Sequence, residues 1–145
     1  MKLTLIAFSA LFYSAQSFAA LHDISLPNSR KACTSKSPLV GTGSELSSLA
    51  HGVSGTVYVI DDCTLAIDNF HYDGKGLKVE IYSSKNGDFT EGRPLSIDLL
   101  RPTQAYDNDL MILRLPKGQS VETIEGLSVW CSDAKVSFGD VLFEK

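Results

Sequence analysis

The sequence predicts an all-β protein: an antiparallel β-sandwich of about seven short strands, preceded by a signal peptide and an extended arm. Two observations carry the β part. From Gly55 onward, runs rich in Val, Ile, Tyr, Phe and Thr recur at spacings of about ten residues. Between them stand pairs of the kind that tolerate turn geometry, namely Asp61-Asp62, Asp73-Gly74, Asn86-Gly87, Asp107-Asn108, Lys117-Gly118 and Glu125-Gly126. A third observation sets the beginning apart: a Lys at position 2, an apolar run from Leu3 to Tyr13, and small residues ending in Ser17-Phe18-Ala19.

Taken in order, residues 1–19 have the layout of a secretory signal peptide, with small residues where the peptidase reads if it cuts after Ala19, so the mature chain is expected to begin at Ala20. The apolar run is shorter than a bilayer span and no second run of spanning length follows, so no membrane anchor is expected. From Ala20 to Ser54 Ser, Gly, Pro and Lys dominate and large apolar side chains are few, too little to order the segment by itself, and residues 20–40 are read as an extended N-terminal arm. Residues 41–145 form the domain. Its candidate strands are Gly55–Ile60, Thr64–Phe70, Leu77–Ser83, Leu95–Leu99, Leu110–Leu115, Leu127–Cys131 and Val136–Leu142. One helical turn is expected in the run after Pro116, with Ser120 as its cap and Glu122 near its start.

Composition removes some functions. The 145 residues carry 13 Lys and Arg against 17 Asp and Glu, a net charge of -4, and the loss of Lys2 with the leader makes the mature chain one unit more negative. Such a surface repels phosphate backbones and anionic lipid, and Arg30-Lys31 is the one adjacent basic pair, so nucleic-acid binding is not expected. A soluble, secreted, extracellular protein is expected. No Asn-x-Ser/Thr acceptor for N-glycosylation occurs.

The chemistry-bearing residues are few. There is no Gly-x-Ser-x-Gly elbow, and His22, His51 and His71 are scattered without a paired spacing to a cysteine, so neither a hydrolase nor a metal site is indicated. The reading leans against an enzyme. Cys-x-x-Cys-His haem attachment is absent, and Met111 reads as core filler. "FHYDGKG" reads as a tight reversal, with Asp73 bonding its own backbone. The cysteine count is odd, and three cysteines allow three single bridges, each leaving one thiol over. Strand parity puts Leu127, Val129 and Cys131 on one apolar face and Ser128 and Trp130 on the other. A thiol on such a face is most often a small buried residue.

Three stretches, "HGVSGTVYVIDDCTLAIDNFHYDGKG", "LRLPKGQSVETIEGLSVWC" and "KVSFGDVLF", together resemble the DM-thirteen domain, over about Gly41 to Phe143. The resemblance implies an extracellular β-sandwich acting in electron transfer. Its proposed redox centre is the cysteine after Trp, either as a naked thiol or by holding a prosthetic group such as haem. Cys131 matches that position, which makes it the candidate redox thiol and the candidate cofactor-binding residue. His51, Gly52, Gly55, Asp61, Phe70, Tyr72, Asp73, Gly74, Leu115, Pro116, Trp130, Phe138 and Gly139 match further family positions, while Leu77 stands where the family has Pro. Since the resemblance requires no cysteine at Cys33 or Cys63, those two are expected to form a disulfide, leaving Cys131 free. The implied partner is a redox or extracellular protein of unknown identity. The competing function is an extracellular binding or matrix module without redox chemistry, presenting the loops Tyr72–Gly76, Lys85–Gly92 and Thr103–Asp109.

Overall fold

The computed structural model describes residues 33–95 and 105–144. Every described residue belongs to one compact unit, Lys31–Lys145. The expected leader, the arm before Cys33, His22 and most of the Leu95–Leu99 strand therefore lie outside the described residues.

Among the described residues seven strands form two antiparallel sheets, with almost no helix. One sheet has the order β1-β2-β3-β5, where β1 is Gly43–Glu45, β2 Ser54–Asp61, β3 Thr64–Tyr72 and β5 Tyr106–Arg114. The other has the order β4-β6-β7, where β4 is Val79–Ser83, β6 Gly126–Cys131 and β7 Val136–Leu142. Alternation does the sorting: Val57 and Val59 of β2 point into the core while Tyr58 and Ile60 point out. The central strand β6 is buried along its whole length. Its inner residues Leu127, Val129 and Cys131 join Val79, Ile81, Leu65, Ile67, Phe70 and Tyr72 in one core. Trp130, on the outer face, stacks on Tyr82 and lies against Phe89, with centroids 6.1 and 6.5 Å away.

Several elements differ from the sequence expectation, each for a local reason. Leu77 is 81% exposed, and β4 begins two residues after it. Leu95 is buried and donates to the Ile81 carbonyl at 2.7 Å, extending the second sheet alongside β4. β5 runs back through Asp107-Asn108, because Asn108 takes a left-handed φ of 60° as a bulge inside the strand rather than a turn. Residues 33–54 are more ordered than their composition suggested: β1 pairs with β2, and Leu39, Leu46 and Val53 reach the core. The helical turn α1, Val121–Ile124, stands where expected, with the Ser120 N–H donating to Thr123 Oγ1.

A bulge in β3 decides which side chains meet in the core. In an unbroken strand Ile67 and Phe70, three residues apart, would face opposite ways. Ile67 pairs with Met111 but Phe70 pairs with Asp109, and the extra residue is absorbed at Asn69, whose φ is 51°. Phe70 and Tyr72 are thereby turned inward. Gly55 lies across from the bulge with φ 146°, where a Cβ would come within 3.0 Å of the Asp68 carbonyl oxygen and 3.3 Å of the Phe70 Cα. No other residue fits there without moving the bulge.

Candidate functional site

The two sulfur sites stand at opposite ends of the sandwich. At one end Cys33 and Cys63 are joined, with their Cα atoms 5.9 Å apart across a separation of 30 residues. The bridge sits at the β2–β3 hairpin, where Asp62 gathers the incoming segment: its carboxylate accepts from the hydroxyl of Thr34 and from the N–H groups of Lys36 and Ser37. The Thr34 hydroxyl, then the Ser37 N–H, hold the Asp62 carboxyl below its ordinary value, with the Lys36 N–H and charge adding to them against a smaller burial effect. Asp61 closes the turn by accepting from the Cys63 N–H at 2.9 Å. Asp61 and the two sulfurs lie close enough together to suggest a cation site. Sulfurs bonded to one another, however, have no thiolate to offer a metal.

At the other end β6 finishes at Cys131, a free thiol that is 6% exposed. Its cross-strand neighbours are Val79 on β4 and Val136 on β7. A register slip in β7 beside Trp130 lets Phe138 turn inward, and it is buried. Above this layer stand Tyr72, 2% exposed, and the chain reversal that follows it. A Cβ on Gly76 would lie 2.2 Å from Val79, 2.6 Å from the Tyr72 hydroxyl and 2.9 Å from Phe138. These side chains therefore close on one point, and only glycine lets the loop pass over them. The Gly76 N–H donates to the Tyr72 hydroxyl at 2.8 Å. Burial first, and then the fields of Asp73, Cys131 and Tyr106, push the Tyr72 phenol above its ordinary value, against that N–H.

His51 and Asp73 form the rim. His51 has a left-handed φ of 55° in the Ala50–Val53 turn, followed by Gly52 at 65°, the signature of a mirror-image type I turn. Holding a non-glycine residue there costs on the order of 1 kcal/mol or more. Two contacts offset the cost. The Asp73 N–H donates to the His51 carbonyl at 3.0 Å, and His51 Nδ1 lies 3.1 and 3.3 Å from the two Asp73 carboxylate oxygens. A carboxylate only accepts, so Nδ1 carries the hydrogen of this contact. Burial would raise the Asp73 carboxyl, but the Lys75 N–H, the His51 ring and the Lys75 charge together hold it below its ordinary value. The imidazole also packs on Phe138, with centroids 4.2 Å apart.

The structure thus pairs Cys33 with Cys63 and sets Cys131 apart from both. Trp130 and Cys131, adjacent in sequence, lie on opposite faces of the sheet. Sequence reasoning treated His51, Tyr72, Asp73 and Phe138 as turns and core and missed that they meet. The signal was present in "HG" and "YDG", two left-handed turns placed to face one another once β2 and β3 pair. A haem at Cys131 does not fit this arrangement: the thiol is buried, and the side chains around Gly76 approach too closely to admit a macrocycle without displacing the loop.

Three comparisons bear on this geometry. The model of the family described as electron transfer DM13 matches residues 45–143. Protein Skeletor of Drosophila melanogaster is 37% identical over 101 residues in its isoforms B/C and again in its isoforms D/E, covering 66% of this chain. A cytochrome b561, DM13 and DOMON domain-containing protein of Arabidopsis thaliana is 29% identical over 114 residues, covering 76% of this chain. This chain matches only 13%, 7% and 12% of those proteins respectively. No solved structure matches.

Proposed function

The chain belongs to the electron-transfer DM13 family, and from that premise we propose that it is an exported electron-transfer module whose redox group is the Cys131 thiol. The observation that carries the reading is the division of the sulfurs: two are joined at one end, and the third is kept as a thiol, buried beneath the residues that match the family motifs. With Cys33 and Cys63 already bonded at the far end, Cys131 has no second thiol within the chain with which to form a disulfide. The step assigned to it here is a one-electron step, in which the S–H bond breaks, the electron passes to an acceptor and the proton to solvent. The Arabidopsis relative, whose name sets a DM13 domain beside cytochrome b561 and DOMON domains, supports a redox protein as partner. Export is supported by the leader-like first 19 residues and by the disulfide, which persists in oxidising compartments.

The test is a redox titration of the purified protein beside Cys131→Ala. The wild type is expected to exchange one electron that the folded variant does not, and its visible spectrum is expected to lack a Soret band. Equal electron counts in the two proteins would defeat the thiol reading and leave the binding-module function in its place. A Soret band that vanished in the variant would move the chemistry from the naked thiol to a bound haem.

A further inference from the structure

A buried thiol can exchange electrons with a partner only through the atoms that cover it, and the rings around Cys131 are not evenly suited to that. Four rings form a continuous row: Tyr106 stacks on Tyr72 at 6.2 Å and 27°, Tyr72 on Phe138 at 6.2 Å and 29°, and Phe138 meets His51 at 4.2 Å. Phe70 braces Tyr106 from the side at 5.3 Å. Phenols yield an electron far more readily than phenyl or imidazole rings, so in this row only Tyr72 and Tyr106 can carry one. Tyr72 is buried against the layer that contains Cys131, and Tyr106 is half-buried at the surface end of the row, held opposite Tyr72 by the paired bulges at Asn69 and Asn108.

We propose that Tyr72 is the relay through which Cys131 exchanges its electron, and that Tyr106 is the point at which the electron enters or leaves. This rests on the thiol reading given above. In the oxidising direction, a one-electron oxidant at the surface takes an electron from Tyr106, which is refilled from Tyr72, which is refilled from the thiol. Each phenol loses and regains one electron and one proton and ends unchanged. The net change is one S–H bond broken, a thiyl radical at Cys131, one electron on the oxidant and one proton in solvent. The bulge that turns Tyr72 inward thereby acquires a purpose beyond packing. Trp130, adjacent to Cys131 in the chain, is the rival route: it leads to the opposite face of the sheet, toward Tyr82 and Phe89.

The experiment mixes the full chain, without oxygen, with hexachloroiridate(IV) and follows the loss of the oxidant's colour, with freeze-quench EPR to identify the radical. The phase to watch is the one that wild type shows and Cys131→Ala lacks. Tyr72→Phe and Tyr106→Phe are each expected to lose the fast part of that phase while consuming the same final number of electrons, and Trp130→Phe is expected to keep it. A folded Tyr72→Phe with the wild-type fast phase overturns the relay, as does loss of that phase in Trp130→Phe alone. If Tyr72→Phe fails to fold, the half-buried Tyr106→Phe decides by the same criterion. Wild type and Cys131→Ala consuming equal electrons at equal rates would overturn the thiol reading itself, and the relay with it; a Cys131-dependent phase indifferent to both tyrosines overturns the relay alone.

Discussion

The two ends of the sandwich solve the same problem, closing the core between the sheets at its rim, by different means. At the hairpin end the closure is covalent and polar: a disulfide, with one carboxylate gathering two backbone N–H groups and a hydroxyl. At the other end no covalent link exists among the described residues. Packed rings close the core there, together with a His–Asp pair held in a left-handed turn. The difference teaches what a free thiol requires. An end secured by a bridge needs no chemistry to spare, whereas an end that keeps its sulfur reduced must obtain its rigidity from shape, and that makes it the more sensitive of the two to side-chain truncation.

The largest expected effect follows from that sensitivity. Phe138→Ala removes a buried ring that touches His51, Tyr72 and the space above Gly76, and it should cost about 3–5 kcal/mol in chemical denaturation; a loss below about 1 kcal/mol would mean that the rings do not close this end. Next comes the bridge. Cys33→Ser with Cys63→Ser frees a loop of 30 residues, and the chain-entropy argument puts the loss at roughly 3–4 kcal/mol. Unchanged stability in that double variant would remove the structural role assigned to the hairpin end. Cys131→Ala, which leaves only a small cavity, should cost about 1–2 kcal/mol and leave the disulfide intact on non-reducing peptide mapping.

How much of this was legible beforehand depends on the range of the interaction. Six of the strands were readable because alternation and turn pairs act locally; Val57 and Val59 are buried and Tyr58 and Ile60 are not, as period two requires. The inward face of Cys131 was readable for the same reason. The meeting of His51 with Asp73 and of Tyr72 with Tyr106 was not, because it depends on two bulges, and asparagine at a bulge looks in sequence like asparagine at a turn. Asp107-Asn108 was misread on that account. The order of Leu39, Leu46 and Val53 was also hidden, since residues 33–54 contain too few apolar side chains to form a pattern and gain their burial only from strands formed later in the chain.

Smaller and opposite in sign at the two extremes is the dependence on pH. Asp62 at the hairpin end and Asp73 at the thiol end both sit below their ordinary value of 3.8. The unfolded chain therefore binds protons at these sites more readily than the folded one, and their contribution, present above that value, is lost as the pH falls through the folded values. Tyr72 lies above its ordinary value of 10.0, so its contribution is complete below that pH and disappears as the pH rises through the folded value. Urea midpoints across pH should fall at both extremes. Asp62→Asn and Asp73→Asn should each flatten part of the acid limb, and Tyr72→Phe the alkaline one. An acid limb untouched by both asparagine variants would contradict the assignments.

The central claim is that one sulfur site supports the fold and the other carries the electron. Protein-film voltammetry of wild type, Cys131→Ala and the Cys33→Ser, Cys63→Ser double variant tests it most directly, with folding checked by near-ultraviolet circular dichroism. The account predicts a one-electron wave in wild type that survives loss of the disulfide and is absent from Cys131→Ala. A wave that persists in Cys131→Ala and vanishes with the disulfide would assign the redox chemistry to the wrong end of the molecule and contradict it.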